Sequence, residues 1–307
     1  MLTAAAKVNL VLEVLGRRPD GYHEIATIMQ AVDLTDRLVL EDADSLALSA
    51  DGAVPADSTN LALRAAAALR EAAGVDCGAR ITLDKRIPVA AGLGGGSADA
   101  AAVLVGLNRL WGLRWPRTRL AEVAASLGSD VPFFLWGGAA LATGRGERIE
   151  PVAAGAWALV LVNPPFGVPT AEVYSRVTPA LWSDGHRVRR MAQALRQRRP
   201  ARIAASLYNG LEAAVAPVHP EIERMKAALV AAGALGAAMS GSGPSVFGVA
   251  RSFEHARQIR ARVTRGSWRC WALRALAGPA VRIRPGRAMT GGPAAGGGGG
   301  RWGVAKR

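Results

Sequence analysis

The sequence predicts an α+β protein built as two lobes around one cleft. Three observations carry this reading. Apolar residues alternate as in a strand through the opening AKVNLVLEVLG, helix-favouring runs bounded by capping residues recur along the chain, and Pro164, Pro165 and Pro169 mark a compositional shift near the middle. A single core stops growing near ~250 to 300 residues, and the chain has 307. The division is therefore placed at that shift, with one lobe over residues 1–155, a second over 156–284 and a tail over 285–307.

The elements follow in order. RLVLEDADSLALS gives two further strand-like runs around an acidic turn. DSTN then supplies N-cap candidates for the helix LALRAAAALREAA, which Gly74 stops. ARITLDKRI reads as a strand, the glycines from Gly92 to Gly96 as a turn, and SADAAAVLVGLNRL as a helix opened by Ser97. A helix over about 117–127 is broken by Gly128, and Pro132 is expected to keep the next segment extended. ALATGRGERI and WALVLVNP read as strands. Helical pieces at 187–198, 219–232 and 252–265 alternate with strands around AAMSGSGPSVFGVA and WRCWALRAL. After Ile283 come five consecutive glycines at 296–300 and little apolar periodicity, so a flexible tail is expected.

Half the residues are apolar, yet charge interrupts every window of membrane-spanning length. With no basic-then-apolar leader in MLTAAAKVNLVLEV, a cytoplasmic protein without a membrane partner is expected. Cys77 and Cys270 lack CxxC spacing and nearby histidines, which predicts free thiols rather than a disulfide or zinc site. The net charge of +14 gathers in Arg-rich 186–202 and 251–287. A solvated basic face that attracts polyanionic small molecules is the reading, with no nucleic acid partner expected; a basic nucleic-acid-binding protein is the alternative from another class.

Gly92, Gly94, Gly95 and Gly96 remove side chains where backbone N–H groups can converge ahead of a helix N-terminus, an arrangement that suits phosphate. Known phosphate loops differ from it. No Lys follows as GxxxxGK[ST] requires, the third Gly of GxGxxG is replaced by Ser97, and no HRD or DFG follows. A glycine turn without ligand is the other reading of this stretch alone. The wider pattern P-x-x-A-G-L-G-G-G-S-A-D-A-A from Pro88 resembles the ATP-binding motif of the GHMP small-molecule kinases. AKVNLVLEVLGRRPDGYHEI before it and AAMSGSGPSVFG after it agree in order and spacing, and the likeness covers roughly residues 4–250. This resemblance implies an N-terminal lobe like ribosomal protein S5 domain 2, a ferredoxin-like α/β C-terminal lobe, and ATP with Mg2+ as its companion ion.

Within that family, one branch is similar at Lys7 and Asn9, Asp20-Gly21-Tyr22-His23, Asp57-Ser58-Thr59-Asn60-Leu61, Lys85-Arg86-Ile87-Pro88, Gly128-Ser129-Asp130-Val131-Pro132 and Gly144-Arg145-Gly146-Glu147. Its members phosphorylate the 2-hydroxyl of 4-diphosphocytidyl-2-C-methyl-D-erythritol in non-mevalonate isoprenoid synthesis. The resemblance implies that Asp130 accepts or orients the hydroxyl proton while Lys7 stabilises developing charge. Asn60, Lys85, Pro88, Ala91, Gly92, Leu93, Gly94, Gly95, Gly96, Ser97 and Ala98 are the implied ATP site, with Asn60 and Lys85 on the nucleoside side and Ser97 near the metal. The implied acceptor site is Tyr22 and Tyr174 on the cytosine faces, His23 on its edge, and Asn9, Thr170, Gly241 and Gly243. For the last two glycines, a tight turn is an equal reading, and Asp99 reads either as part of the site or as a carboxylate favouring its helix dipole. No protein cage for a metal is predicted. A monomer or homodimer is expected, and a homoserine- or mevalonate-type kinase is the alternative within the family.

Overall fold

A computed structural model describes residues 1–51, 54–264 and 266–283; the tail expected over 285–307 lies outside them. The first half runs β1 (Leu2–Arg17), β2 (His23–Glu41), β3 (Leu46–Ala50), α1 (Leu61–Ala73), β4 (Ala79–Asp84), α2 (Gly95–Leu110), α3 (Arg117–Leu127), α4 (Val131–Trp136), β5 (Ala139–Gly144) and β6 (Arg148–Val152). The second runs β7 (Ala158–Asn163), α5 (Thr170–Ser175), α6 (His186–Gln197), α7 (Pro200–Ala204), β8 (Tyr208–Asn209), α8 (Glu212–Val215), α9 (Glu221–Ala231), β9 (Ala237–Met239), β10 (Val246–Ala250), α10 (Phe253–Val263), β11 (Arg269–Arg274) and β12 (Val281–Ile283).

Two sheets organise the α+β fold. The larger runs β12-β1-β2-β4-β3, with β5 and β6 continuing from β2 and β8 lying parallel beside β1. The smaller runs β11-β7-β10-β9, entirely antiparallel. With α9 and α10 as its crossovers it follows the βαββαβ plan of ferredoxin-like domains. Strands β8 and β12, from late in the chain, return to the larger sheet.

Strand β1 is buried along almost its whole length rather than on alternate residues. The cause is cover on both faces: α2 packs on one side and α6 on the other. Leu2 and Ala4 join the core under α1 and α2, Val8 and Leu10 the core against α6, and Leu12 and Val14 the core of the smaller sheet. Any polar side chain on this strand is thus forced to find a partner.

Helix α1 forms as its caps direct. Asn60 Oδ1 accepts the Ala62 N–H at 2.9 Å, and Gly74 closes the helix in the left-handed region at φ 63°. Two expectations are corrected. Helix α2 starts at Gly95 with Gly94 as its cap, so Ser97 sits inside the first turn rather than ahead of it. Pro132 belongs to helix α4, where a first-turn proline sacrifices no hydrogen bond. Phe133 and Phe134 follow it into the core, edge to face at 5.1 Å, and Asp130 is left at the helix entrance. No helix among the described residues is long and apolar enough to cross a membrane. Cys77 and Cys270 are free and half-buried.

Gln30 joins the parts. Its fully buried amide nitrogen shares two N–H groups among the carbonyls of Ala31, Gly138 and Leu276, at 2.9, 3.1 and 2.8 Å, and its oxygen accepts from Trp157 Nε1. Gln30→Leu should therefore cost about 1–3 kcal/mol in urea unfolding, the cost of stranding buried polar groups; an unchanged midpoint would contradict this account.

Candidate active site

A cleft of about 1230 Å³ opens where β1, the glycine loop and the β9–β10 loop meet. Lys7 lies on its floor, only 4% exposed. Its Nζ stands 3.3 Å from Asp130 Oδ2 and donates to Asn9 Oδ1 at 2.5 Å. Asn9 donates in turn to Thr27 Oγ1, which donates to the Val11 carbonyl. Both ends of the Asn9 amide are occupied, so it acts on the site by orienting Lys7.

The glycine loop is seated by backbone bonds. The Lys7 N–H donates to the Leu93 carbonyl at 3.0 Å, and Ser240 Oγ donates to the Gly92 carbonyl at 2.9 Å. Gly92 has φ 73°, and a Cβ there would collide with the Ser240 carbonyl. At Gly94 a Cβ would come within 2.8 Å of the Phe134 ring and 3.2 Å of Lys7 Cε, and at Gly95 within 2.9 Å of Lys85 Nζ. Gly96 faces open space. The loop thus rests directly on two lysine side chains, with the start of the 16-residue helix α2 pointing its free N–H groups at the cleft.

Lys85, its side chain 3% exposed, bridges Asp36 and Asp99. Asp36 is buried and also accepts the Arg86 and Ile87 N–H groups at 2.6 and 2.8 Å. One Asp99 oxygen, Oδ1, has no partner among the described residues. Burial pushes the Asp99 carboxyl up to about 8, Lys85 pulls it back, and Asp36 adds to the rise. For Lys85, burial works to lower the pKa, but the two carboxylates outweigh it and hold the ammonium above its ordinary value.

The opposite wall carries aromatic groups. Gly21, at φ 85°, and Asp20, whose Oδ1 accepts the Tyr22 N–H at 3.1 Å, form the β1–β2 turn that presents Tyr22, 54% exposed. Arg18 ties that turn to Asp20 and Glu24. The His23 and Tyr174 rings lie 5.3 Å apart, tilted by 31°. Burial, with Arg17 adding to it, holds the His23 imidazole below its ordinary pKa, and burial with the Asp130 charge pushes the Tyr174 phenol up. Thr170 Oγ1 and Ser242 Oγ share a 2.9 Å hydrogen bond that joins α5 to the β9–β10 loop. In that loop Gly241, at φ 57°, leaves room for Asn9 Oδ1 and Lys7 Nζ, which a Cβ would approach to 3.0 and 3.1 Å.

The cleft gathers Lys7, Asn9, Tyr22, His23, Asn60, Lys85, Pro88, Ala91, Gly92, Leu93, Gly94, Gly95, Gly96, Ser97, Asp130, Thr170, Tyr174 and Gly241. Ala98 and Gly243 are not among its lining residues. Ala98 is turned into the core by the winding of α2, and Gly243 shapes a turn in which a Cβ would strike Met239. Asn60 and Lys85 reach the wall with their polar groups engaged, Asn60 by its helix cap and the Pro55 carbonyl, Lys85 by the two carboxylates. Sequence reasoning missed Asp36, Arg17 and Ser242. It quoted Arg145 within a motif without assigning it a task. Asp36 stands out in the sequence only as a carboxylate within an otherwise strand-like stretch. Elsewhere Glu13, Asp184 and His186 bring ligand atoms within 4.8 Å of one another. The Glu13 oxygens there already accept from Ser183, Arg187 and the Val188 N–H, which makes the group a cap for α6.

Family models for the GHMP kinases N terminal domain and GHMP kinases C terminal match residues 60–138 and 191–268. A 4-diphosphocytidyl-2-C-methyl-D-erythritol kinase of Pelotomaculum thermopropionicum is 51% identical over 266 residues, 85% of this chain and 93% of the relative. Its counterpart in Symbiobacterium thermophilum is 49% identical over 276 residues, 88% of this chain and 98% of the relative. The crystal structure of a 4-(cytidine 5'-diphospho)-2C-methyl-D-erythritol kinase superposes with a TM-score of 0.77 at 41% identity, covering 90% of this chain and 99% of that one. A homoserine kinase from Cytophaga hutchinsonii, at 23% identity and a TM-score of 0.72 over 92% of this chain and 96% of that one, shares the fold.

Gly92→Ala tests the seating of the glycine loop. A left-handed alanine costs about 1–2 kcal/mol before any collision with Ser240 is counted, so the variant should melt at lower temperature. It should also bind ADP about ten-fold more weakly or worse, because the loop N–H groups must shift; calorimetric titration showing unchanged ADP affinity would refute the arrangement.

Proposed function

The chain belongs to the GHMP kinase family, and from that premise we propose that it transfers the terminal phosphoryl group of ATP to the 2-hydroxyl of 4-diphosphocytidyl-2-C-methyl-D-erythritol. ADP and the 2-phosphate are the products, and the reaction belongs to non-mevalonate isoprenoid synthesis. The observation that carries this reading is the placement of Lys7 Nζ 3.3 Å from Asp130 Oδ2, directly below the glycine loop.

The loop and the α2 N-terminus hold the triphosphate. The acceptor alcohol lies at Lys7 and Asp130, and its cytosine against Tyr22, Tyr174 and His23. As the 2-oxygen forms its bond to the γ-phosphorus, the bond from that phosphorus to the β–γ bridging oxygen breaks, and its electron pair leaves with ADP. Asp130 takes the hydroxyl proton, while the Lys7 ammonium stabilises the developing alkoxide and the moving phosphoryl oxygens. Asn9 keeps Lys7 in place. Mg2+ fits the donors on this wall, because Ser97 offers a hard oxygen and the ion takes most of its ligands from phosphate and water. When bound it neutralises phosphate charge, with Ser97 as the residue that would hold it.

We place the lobe boundary at residues 155 and 156, between β6 and β7, with β8 and β12 lent back to the first sheet. We also infer a monomer or a homodimer, with every residue of the proposed mechanism drawn from a single chain. We further infer that the reaction takes place in the cytoplasm. An aromatic wall opposite the cradle suits a base-bearing acceptor better than homoserine or mevalonate.

Purified protein should phosphorylate 4-diphosphocytidyl-2-C-methyl-D-erythritol with ATP and magnesium, and folded protein that leaves it untouched would overturn the reading. Asp130→Ala should lower kcat by about 10² or more; near-parental turnover would remove Asp130 from proton transfer. In Tyr22→Ala, KM for the acceptor should rise several times more than KM for ATP. Equal rises would contradict the stacking role.

A further inference from the structure

Four cationic side chains line the cleft: Lys7, Arg17, Lys85 and Arg145. The two lysines are ion-paired, with Asp130 and with Asp36 and Asp99 respectively. Arg17 and Arg145 make no ion pair among the described residues. Arg17 and Arg145 are thus the cleft cations left without an ion pair among the described residues, and the diphosphate of the acceptor is a partner for one of them.

Arg145 has the geometry for it. It sits at the tip of the β5–β6 hairpin between Gly144 and Gly146, at φ 75° and 110°, with its N–H donated to the Glu147 carboxylate at 2.7 Å. The hairpin is lodged on the catalytic loop. A Cβ on Gly146 would lie 3.6 Å from Ser129 Cβ, 3.5 Å from Ile25 Cδ1 and 4.0 Å from Asp130 Oδ1. From there the side chain reaches across, so that its guanidinium carbon stands 4.9 Å from the Tyr22 ring centroid. One residue thus spans the interval between the carboxylate that meets the hydroxyl and the aromatic ring that meets the base. In the acceptor, that interval is filled by the diphosphate.

Resting on the function given above, we propose that Arg145 is a specificity-determining residue of the acceptor site: stacked on Tyr22, it turns its free N–H donors to the diphosphate that joins the cytidine to the alcohol. Guanidinium suits this task because its planar fork pairs with two phosphate oxygens at once while its face lies on an aromatic ring.

The test compares cytidine with CDP by calorimetric titration, with the glycine loop saturated by a non-hydrolysable ATP analogue so that CDP reports on the acceptor site alone. The parent should bind CDP about ten-fold or more tightly than cytidine, as charge-assisted hydrogen bonds to a diphosphate provide. Arg145→Gln should reduce that preference to about two-fold or less, and Arg145→Lys should keep part of it. A parent without preference, an Arg145→Gln protein that retains it in full, or its loss in Arg17→Gln alone would each overturn the proposal. A parent that binds neither compound would instead bring down the functional reading itself, so the two failures are distinguishable. The half-exposed hairpin tip tolerates glutamine, and thermal unfolding of each variant verifies that it is folded.

Discussion

An ammonium group held at 4% exposure in the middle of a core strand is the constraint from which the site follows. Lys7 has packed residues on either side along β1, so its charge is sustained only by groups brought to it. Asn9 comes from the same strand, Thr27 steadies Asn9 from β2, and Asp130 arrives from the entrance of α4. Removing any one of them would leave a buried polar group short of a partner. The need to satisfy one lysine thereby draws three segments, distant in sequence, to a common point.

The same need explains why the loop above is glycine. Its residues lie on Lys7 and Lys85, and a Cβ at Gly94 or Gly95 would occupy the space of those side chains. The start of α2 turns its free N–H groups to the cleft and two ammonium groups lie against the loop, so a polyanion in the cleft would meet donors with positive charge behind them. Charge below the loop is nevertheless restrained. Lys85 lies between two carboxylates, and Asp36 has three N–H donors where Asp99 has one. The surplus negative charge thus presses on Asp99, whose carboxyl burial holds above its ordinary pKa.

What the sequence made legible was local. The caps of α1 are chemical statements by Asn60 and Gly74 about their own backbone, and the glycine pattern states where side chains must be missing. Contacts across the fold were not legible. Asp36 in DLTDRLVL resembles an acidic interruption of a strand until Lys85 is seen beneath α2. Pro132 reads as a breaker unless one knows that a helix begins one residue earlier. Ala98 carries the composition of the binding motif, but the rotation of α2 buries it, while Gly96, one turn position away from the core, faces the opening. Periodicity also misled at β1, because alternation presumes one wet face and this strand has none.

The cleft finally depends on both sheets being held in register. The β9–β10 loop belongs to the smaller sheet, yet Ser240 Oγ accepts from the Asn9 N–H and donates to the Gly92 carbonyl. Asn209, on a strand lent to the larger sheet, donates to the carbonyls of Met239 and Gly241 at 2.9 and 2.8 Å. These bonds fix the distance between the glycine loop on one side and the Lys7–Asp130 pair on the other. Phosphoryl transfer rewards such fixing, since little of its barrier is removed by covalent chemistry and much by alignment. A fold that exchanges short strands between its lobes gains that alignment without a large interface, because each crossing bond serves a residue of the site as well as the joint.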